Sequence, residues 1–303
     1  MSKYLHLIDC SSFIHAGAVN KYSYIDGGIV EDFDGYRNRI IPTGGISYIF
    51  TRLLPFLADK QHDIIFACDR NPLIKKQMLS SYKSNRTHAK DIEIQKQVAE
   101  YILKDCGYNV IACDDYEADD IIFTAVQAYR KMYDHIFIHT GDSDLYFLVA
   151  DNVSVIGSNS RAKDVTLENY PYTVKKNEVV PYNSSTFLKI LTGDRSDCIP
   201  PVNMQLRQQA QAMFLNSKFM PYLGERDYMK TIVSAMLPAL SFQVNLVFPL
   251  SVSMDLFLEN NPNFSKVIAW GKKINNAKLK QSVTSEDVTE QIDDLFNKGL
   301  YID

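Results

Sequence analysis

The chain is poor in residues that build covalent or metal staples. Its five cysteines, Cys10, Cys68, Cys106, Cys113 and Cys198, are scattered and form no C-x-x-C pair. That excludes a disulfide framework and a cysteine-based structural zinc site. Cys10, Cys68 and Cys113 lie in or beside apolar runs, where buried free thiols are expected. This usage suits a reducing cytoplasm. The six histidines show no metal-ligand spacing, and His139, inside an apolar run, reads as packed or hydrogen-bonded. No apolar run approaches the roughly 18 residues a membrane span needs. The stretch "MSKYLHLIDCSS" is too interrupted for a signal peptide. Internal repeats, low-complexity tracts and a Gly/Ser-rich linker are also missing.

What is present is a large apolar fraction, 46% of 303 residues, enough for a sizeable core. Short β-branched and aromatic runs, "YLHLID" (4–9), "DIIFACD" (63–69), "YNVIACD" (108–114), "HIFIHTGD" (135–142) and "VSVIGS" (153–158), read as buried strands. Helical patterns lie between them. One covers 44–60, with Pro55 kinking or ending it. A second covers 91–107, capped by Asp91 and stopped at Gly107. A third covers 116–132, with Ile121, Ile122, Ala125, Ala128, Tyr129 and Met132 on one face. Alternating strands and helices predict a doubly wound, mostly parallel α/β sheet. From about residue 184 the pattern turns helical, which predicts a smaller C-terminal region.

Acids sit where the strands end. Asp9 ends the first run and Asp69 the second; the third leads into "DDYEADD" (114–120); the fourth ends in "TGDSD", with Asp142 and Asp144. Ligand crevices of open α/β sheets lie at the carboxyl ends of strands. One terminal Asp is ordinary turn chemistry; a carboxylate on each of these runs is not. Such a gathering repels itself and raises its members' pKa values unless a hard, oxygen-loving cation such as Mg²⁺ or Mn²⁺ compensates it. A regular helix would swing Asp119 away from Glu117, so the "EADD" run must straddle a helix start. Asp114 and Asp115 then read as turn or cap residues. In "LTGDRSDCIP" (191–200), Asp194 and Asp197 are close enough for one turn to present both, though "GD" and "SD" are also ordinary turn formers.

The net charge is −4, yet the segment from Arg70 to Lys90 carries six Lys/Arg and no Asp/Glu. It emerges at the acid-lined edge. There Arg70, Lys75, Lys76, Lys83, Arg86 and Lys90 can neutralise phosphates, and Tyr82 can stack on a base.

These residues resemble the flap endonuclease and 5′-3′ exonuclease family, in particular its phage-type members. The matching signals run in order through about the first 200 residues: "LIDCSS", "PTGGISYIF", "CD" followed by "YKSNR", "YEADD", "TGDSDL" and "LTGDRSDCIP". The resemblance implies a PIN-like nuclease domain over 1–183 with a helical arch at about 70–98. It also implies a helical region over 184–303 that contributes Asp194 and Asp197. It implies a hydrolase using two Mg²⁺, replaceable by Mn²⁺. Asp9, Asp69, Glu117, Asp119 and Asp142 would hold the first ion. Asp144, Asp194 and Asp197 would hold the second, with Asp120 close by. Lys83 and Arg86 would act on the scissile phosphate, with Asp142 and Asp144 counted among the catalytic groups. Implied substrates are branched or 5′-ended DNA and RNA–DNA hybrids. A single-strand-binding protein or replisome is the implied kind of protein partner, for a monomer in the host cytoplasm. The family's glycine-rich duplex-gripping hairpin is replaced here by "SDCIPPVNMQLRQQAQAMF" (196–214), which removes the basis for a K⁺ site. Competing expectations are a PIN-type ribonuclease and a non-catalytic nucleic-acid-binding relative. The first is shorter and lacks "YKSNR"; the second predicts missing acids.

Overall fold

The computed structural model describes residues 3–18, 24–26, 40–57, 62–86, 90–158, 164–169, 172–175, 178–181, 189–190, 193–201, 241–253 and 262–275. In chain order the elements begin with β1 (Tyr4–Asp9), α1 (Cys10–Ala18), β2 (Tyr24–Asp26), β3 (Ile40–Pro42), α2 (Gly44–Leu57) and β4 (His62–Cys68). Then come α3 (Leu73–Met78), α4 (Lys90–Asp105), β5 (Asn109–Ala112), α5 (Ala118–Tyr129), β6 (His135–Thr140) and a 3-10 helix (Ser143–Leu148). The last are β7 (Val153–Gly157), β8 (Tyr172–Lys175), β9 (Glu178–Pro181), α6 (Ser241–Val247) and α7 (Phe264–Asn275).

The expected strands form one sheet in the order β5-β4-β1-β6-β7, every pairing parallel. The chain builds outward from β1 to β4 and β5, then crosses to β6 and β7. The strand order therefore reverses beside β1, and the carboxyl ends of β1 and β6 flank the switch point. Two antiparallel pairs, β2–β3 and β8–β9, lie outside this sheet.

Alternate residues supply the two faces of the sheet. Leu5, Leu7, Ile65, Ala67, Ile136 and Ile138 pack with α5, the 3-10 helix and Val244 and Phe248 from the α6 segment. Ile8, Ile64, Phe66 and Cys68 pack on the other face with α1, α2, α4 and Val267, Trp270 and Ile274 of α7. The "GG" of "PTGGISYIF" sets the α1–α2 crossing: a Cβ on Gly17 would lie 2.7 Å from the Cα of Gly45 and 2.5 Å from the Cβ of Tyr48. No helix among the described residues is long and apolar enough to cross a membrane.

Several local expectations need correction. Helix α4 is described from Lys90, one residue before the Asp91 at which it was expected to be capped. Pro55 sits within the last turn of α2, which ends at Leu57, short of the 44–60 expected. Met132 lies beyond α5 and is exposed. Cys113 is half-buried, whereas Cys10, Cys68 and Cys106 are buried. His139 is packed and hydrogen-bonded as expected, in a row the sequence did not show: His6 Nδ1 is 2.7 Å from His139 Nε2, and His6 Nε2 is 2.6 Å from His62 Nδ1. Most of the helical region expected from about residue 184, the K⁺ question and the 183/184 boundary lie outside the described residues.

Candidate active site

The parallel sheet brings the acids to one edge. Asp9 ends β1, Asp69 follows β4, and Asp142 follows β6 as the N-cap of the 3-10 helix. Glu117 occupies the N-cap position of α5, so "EADD" does straddle a helix start. Asp114 and Asp115 form the preceding turn, with Asp115 at φ 71°. Asp9 accepts from Thr140 Oγ1 at 2.8 Å and from the Ser12 amide at 3.0 Å. Asp69 accepts from the Ala118 amide at 2.8 Å and from the Ser11 hydroxyl. The carboxylates are thus oriented by fixed backbone and hydroxyl donors.

They also repel one another. Burial, then Asp69 and Asp142, push the Asp9 carboxyl up to about 7. Burial, then Asp142 and Asp9, raise Asp119 well above the carboxylate range. Burial and Asp142 raise Asp144 to about 6. Oxygen donors under mutual repulsion suit a hard divalent cation. Among the described residues, however, no three such donors already converge on an ion position.

Internal cations take up part of the charge. Lys75 Nζ lies 3.2 Å from Glu117 Oε2 and 3.7 Å from Asp120 Oδ1. Lys83 pairs with the other Glu117 oxygen and stands 3.9 Å from Asp197. Arg86 Nη2 is 2.6 Å from Asp197 Oδ1, and Lys96 Nζ is 3.7 Å from Asp69. Lys189 Nζ lies 2.6 Å from both oxygens of Asp144 and 2.6 Å from Asp194 Oδ2. Burial alone would raise Glu117, but Lys75 and Lys83 hold it below the usual range. Lys96 and Lys189 were not foreseen. Lys189, five residues before Asp194, sits in "LKILTGD", and its nearness to that acid was the only sequence signal for it.

The basic segment is described over 70–86 and from 90 onward within the arch expected over 70–98. Residues 79–86 fold down onto the loop carrying Asp194 and Asp197. The Lys83 amide donates to the Asp197 carbonyl at 3.0 Å, and Asn85 Nδ2 donates to the Arg195 carbonyl at 3.3 Å. Tyr82 is 2% exposed, packs with Ile199 and Leu246, and donates its hydroxyl to Glu117 at 2.8 Å. It is a buried anchor here, not a stacking platform. Lys75, 4% exposed, serves the acids and not solvent phosphate. Arg70 makes two 3.0 Å bonds to Glu100, and Lys76 binds Asn71. Lys90 opens α4, and its side chain lies outside the described residues. Asp120 is also redirected: one oxygen accepts from the Glu117 amide at 2.9 Å and the other from the Leu250 amide. It secures the start of α5.

Backbone strain marks the same place. Lys83 (φ 52°) and Cys198 (φ 57°) adopt left-handed conformations rare for residues with a Cβ. Gly193, at φ +70°, makes the Asp194 turn possible: a Cβ there would lie 2.3 Å from the Ile199 carbonyl oxygen.

The profile of the family described as "5′-3′ exonuclease, N-terminal resolvase-like domain" matches residues 5–179. The DNA polymerase I of Caldicellulosiruptor bescii is 31% identical over 179 residues, 57% of this chain and 21% of that protein. The 5′-3′ exonuclease of Aquifex aeolicus is 28% identical over 204 residues, 66% of this chain and 65% of that protein. The chain therefore spans less than two thirds of either relative. A bacteriophage T5 flap endonuclease, solved as a pseudo-enzyme–product complex with DNA and metal ions, aligns over 97% of this chain and 98% of its own. The identity is 14% and the TM-score 0.51, a likeness of fold.

Proposed function

This chain belongs to the 5′-3′ exonuclease family, and from that premise we propose that it is a divalent-metal-dependent 5′ nuclease. It hydrolyses phosphodiesters near the 5′ ends of branched DNA and of RNA primers paired with DNA. The observation carrying this reading is the joint placement of Asp9, Asp69, Glu117 and Asp142 at one sheet edge, with Lys83 and Arg86 turned onto that edge from the basic segment.

Asp9, Asp69, Glu117, Asp119 and Asp142 would hold one Mg²⁺ or Mn²⁺, and Asp144, Asp194 and Asp197 would hold another. When bound, the ions lower the pKa of the attacking water and neutralise phosphoryl charge. The protein's own groups do the rest. Thr140, Ser11 and the Ser12 and Ala118 amides fix the orientations of Asp9 and Asp69, so little reorganisation accompanies the reaction. Lys83 and Arg86 exchange Glu117 and Asp197 for the oxygens of the scissile phosphate and stabilise charge developing there. The segment 79–86 must lift from the 194–199 loop to do so, releasing the Tyr82 hydroxyl from Glu117. We assign 1–183 to the nuclease domain and 184–303 to a region that supplies the second acid pair and buttresses both sheet faces through α6 and α7.

A 5′-labelled forked duplex tests this reading. Short labelled products should appear with Mg²⁺, vanish with EDTA and vanish in an Asp142→Asn/Asp144→Asn variant. Cleavage that survives EDTA, or equal cleavage by the variant, overturns it.

A further inference from the structure

The acid basin is divided by charge compensation. Among the described residues, Asp9, Asp119 and Asp142 have no lysine or arginine within ion-pairing distance, whereas Asp144 and Asp194 share the ammonium of Lys189. The Lys189 contacts, 2.6 Å to each Asp144 oxygen and 2.6 Å to Asp194 Oδ2, bridge two carboxylates with one cation. The next residue, Ile190, is fully buried in the core beneath the sheet face that carries α5, which fixes the backbone of Lys189 at the basin. Ser196 completes the Asp194 shell by donating its amide at 2.9 Å to Oδ1.

From this we infer that Lys189 is the resident counter-cation of the Asp144–Asp194 pair and competes with a divalent ion for it. The inference rests on the metal-dependent reading above. One group of carboxylates is left under mutual repulsion and gains most from an added cation. The other already holds one ammonium between its two carboxylates, and a divalent ion can enter only by displacing a cation that makes three charge-assisted contacts. Lys189 therefore weakens the second ion position beyond the effect of the cations already on Glu117, Asp69 and Asp197, and that position fills only when the Lys189 ammonium withdraws. Exclusive occupancy of a shared pair makes the lysine and the ion negatively coupled ligands.

The test is Mn²⁺ binding to the full chain without nucleic acid, followed by the loss of the free Mn²⁺ paramagnetic resonance signal and by calorimetry. The wild type should bind one ion tightly and a second weakly. Lys189→Met, which keeps the stem and removes the charge, should tighten the second class by about tenfold, an ordinary size for coupling between exclusive ligands. The first class should stay unchanged. Lys189→Arg should keep the second class weak. Far-UV circular dichroism establishes that the variants are folded, and Lys189→Gln reports the same change if the methionine variant does not fold. Lys189→Met and Lys189→Gln isotherms that superimpose on the wild type overturn the competition. A wild type that binds no Mn²⁺ overturns the metal-dependent reading itself, so the two failures are distinguishable.

Discussion

At the residue scale, the site depends on a few side chains held in unfavourable conformations or surroundings. Lys83 combines a left-handed backbone with an ion pair to Glu117. If it stabilises charge that develops only during phosphoryl transfer, Lys83→Ala should lower kcat roughly a hundredfold and change KM little. Single-turnover cleavage of the forked duplex measures this, and unchanged turnover would return Lys83 to a purely structural role. Gly193 carries a different burden. At φ +70°, with the Ile199 carbonyl 2.3 Å from where a Cβ would stand, Gly193→Ala must distort the Asp194–Ile199 bridge. The expected loss is about 1–3 kcal/mol of stability, read as a lower denaturant midpoint at unchanged slope. A midpoint equal to the wild type would mean the turn relaxes freely.

At the element scale, the strands were legible because each buried run is bounded by turn residues, and the acids because most of those runs end in Asp. Asp9, Asp69 and Asp142 could be assigned to one edge once the sheet was read as parallel. What the sequence did not disclose depends on register. His6 and His139 lie 133 residues apart, and His6 and His62 lie 56 apart, and only the β4-β1-β6 order brings them into one row. The docking of Tyr82 on Glu117 depends likewise on the fold of segment 79–86, which local patterning leaves open. The histidine row has a pH consequence. Burial, then His139 and His62, lower His6 to about 2, while burial and Arg52 lower His139 to about 3. Both are thus neutral in the folded protein at pH values where the unfolded chain takes up protons. Their stabilisation is complete above the unfolded pKa of about 6.5 and declines as pH falls toward the folded values, by up to about 1.4 kcal/mol per group per pH unit. Between pH 7.5 and 5.5 the row pulls the denaturant midpoint down while the raised Asp9, Asp119 and Asp144 carboxyls pull it up, so the row is read as a difference: the midpoint of His6→Phe, which keeps a ring against Phe137, should gain on that of the wild type as pH falls. A variant with the same pH slope as the wild type would remove the row as the cause.

At the scale of the whole molecule, the C-terminal region contributes to the same cores as the sheet. Trp270 of α7 is 7% exposed and donates its indole N–H to Asp105 of α4 at 2.9 Å, while Val267 and Ile274 lie in the cluster built by α1, α2 and α4. Across the sheet, Phe248 stacks edge-on against Phe147 of the 3-10 helix. Residues from beyond 240 thus enter the hydrophobic layers on both sheet faces. That arrangement favours cooperative unfolding over independent melting of a C-terminal unit. The chain has one tryptophan, so its fluorescence reports on α7, while far-UV circular dichroism reports on all helices and the sheet. The two signals should give the same urea midpoint. Ile274→Ala, which empties a fully buried position, should cost about 3 kcal/mol and move both midpoints together. Fluorescence that changes at clearly lower urea than the dichroism would instead make α7 a separately melting attachment, and the buttressing role of residues 184–303 would fall with it.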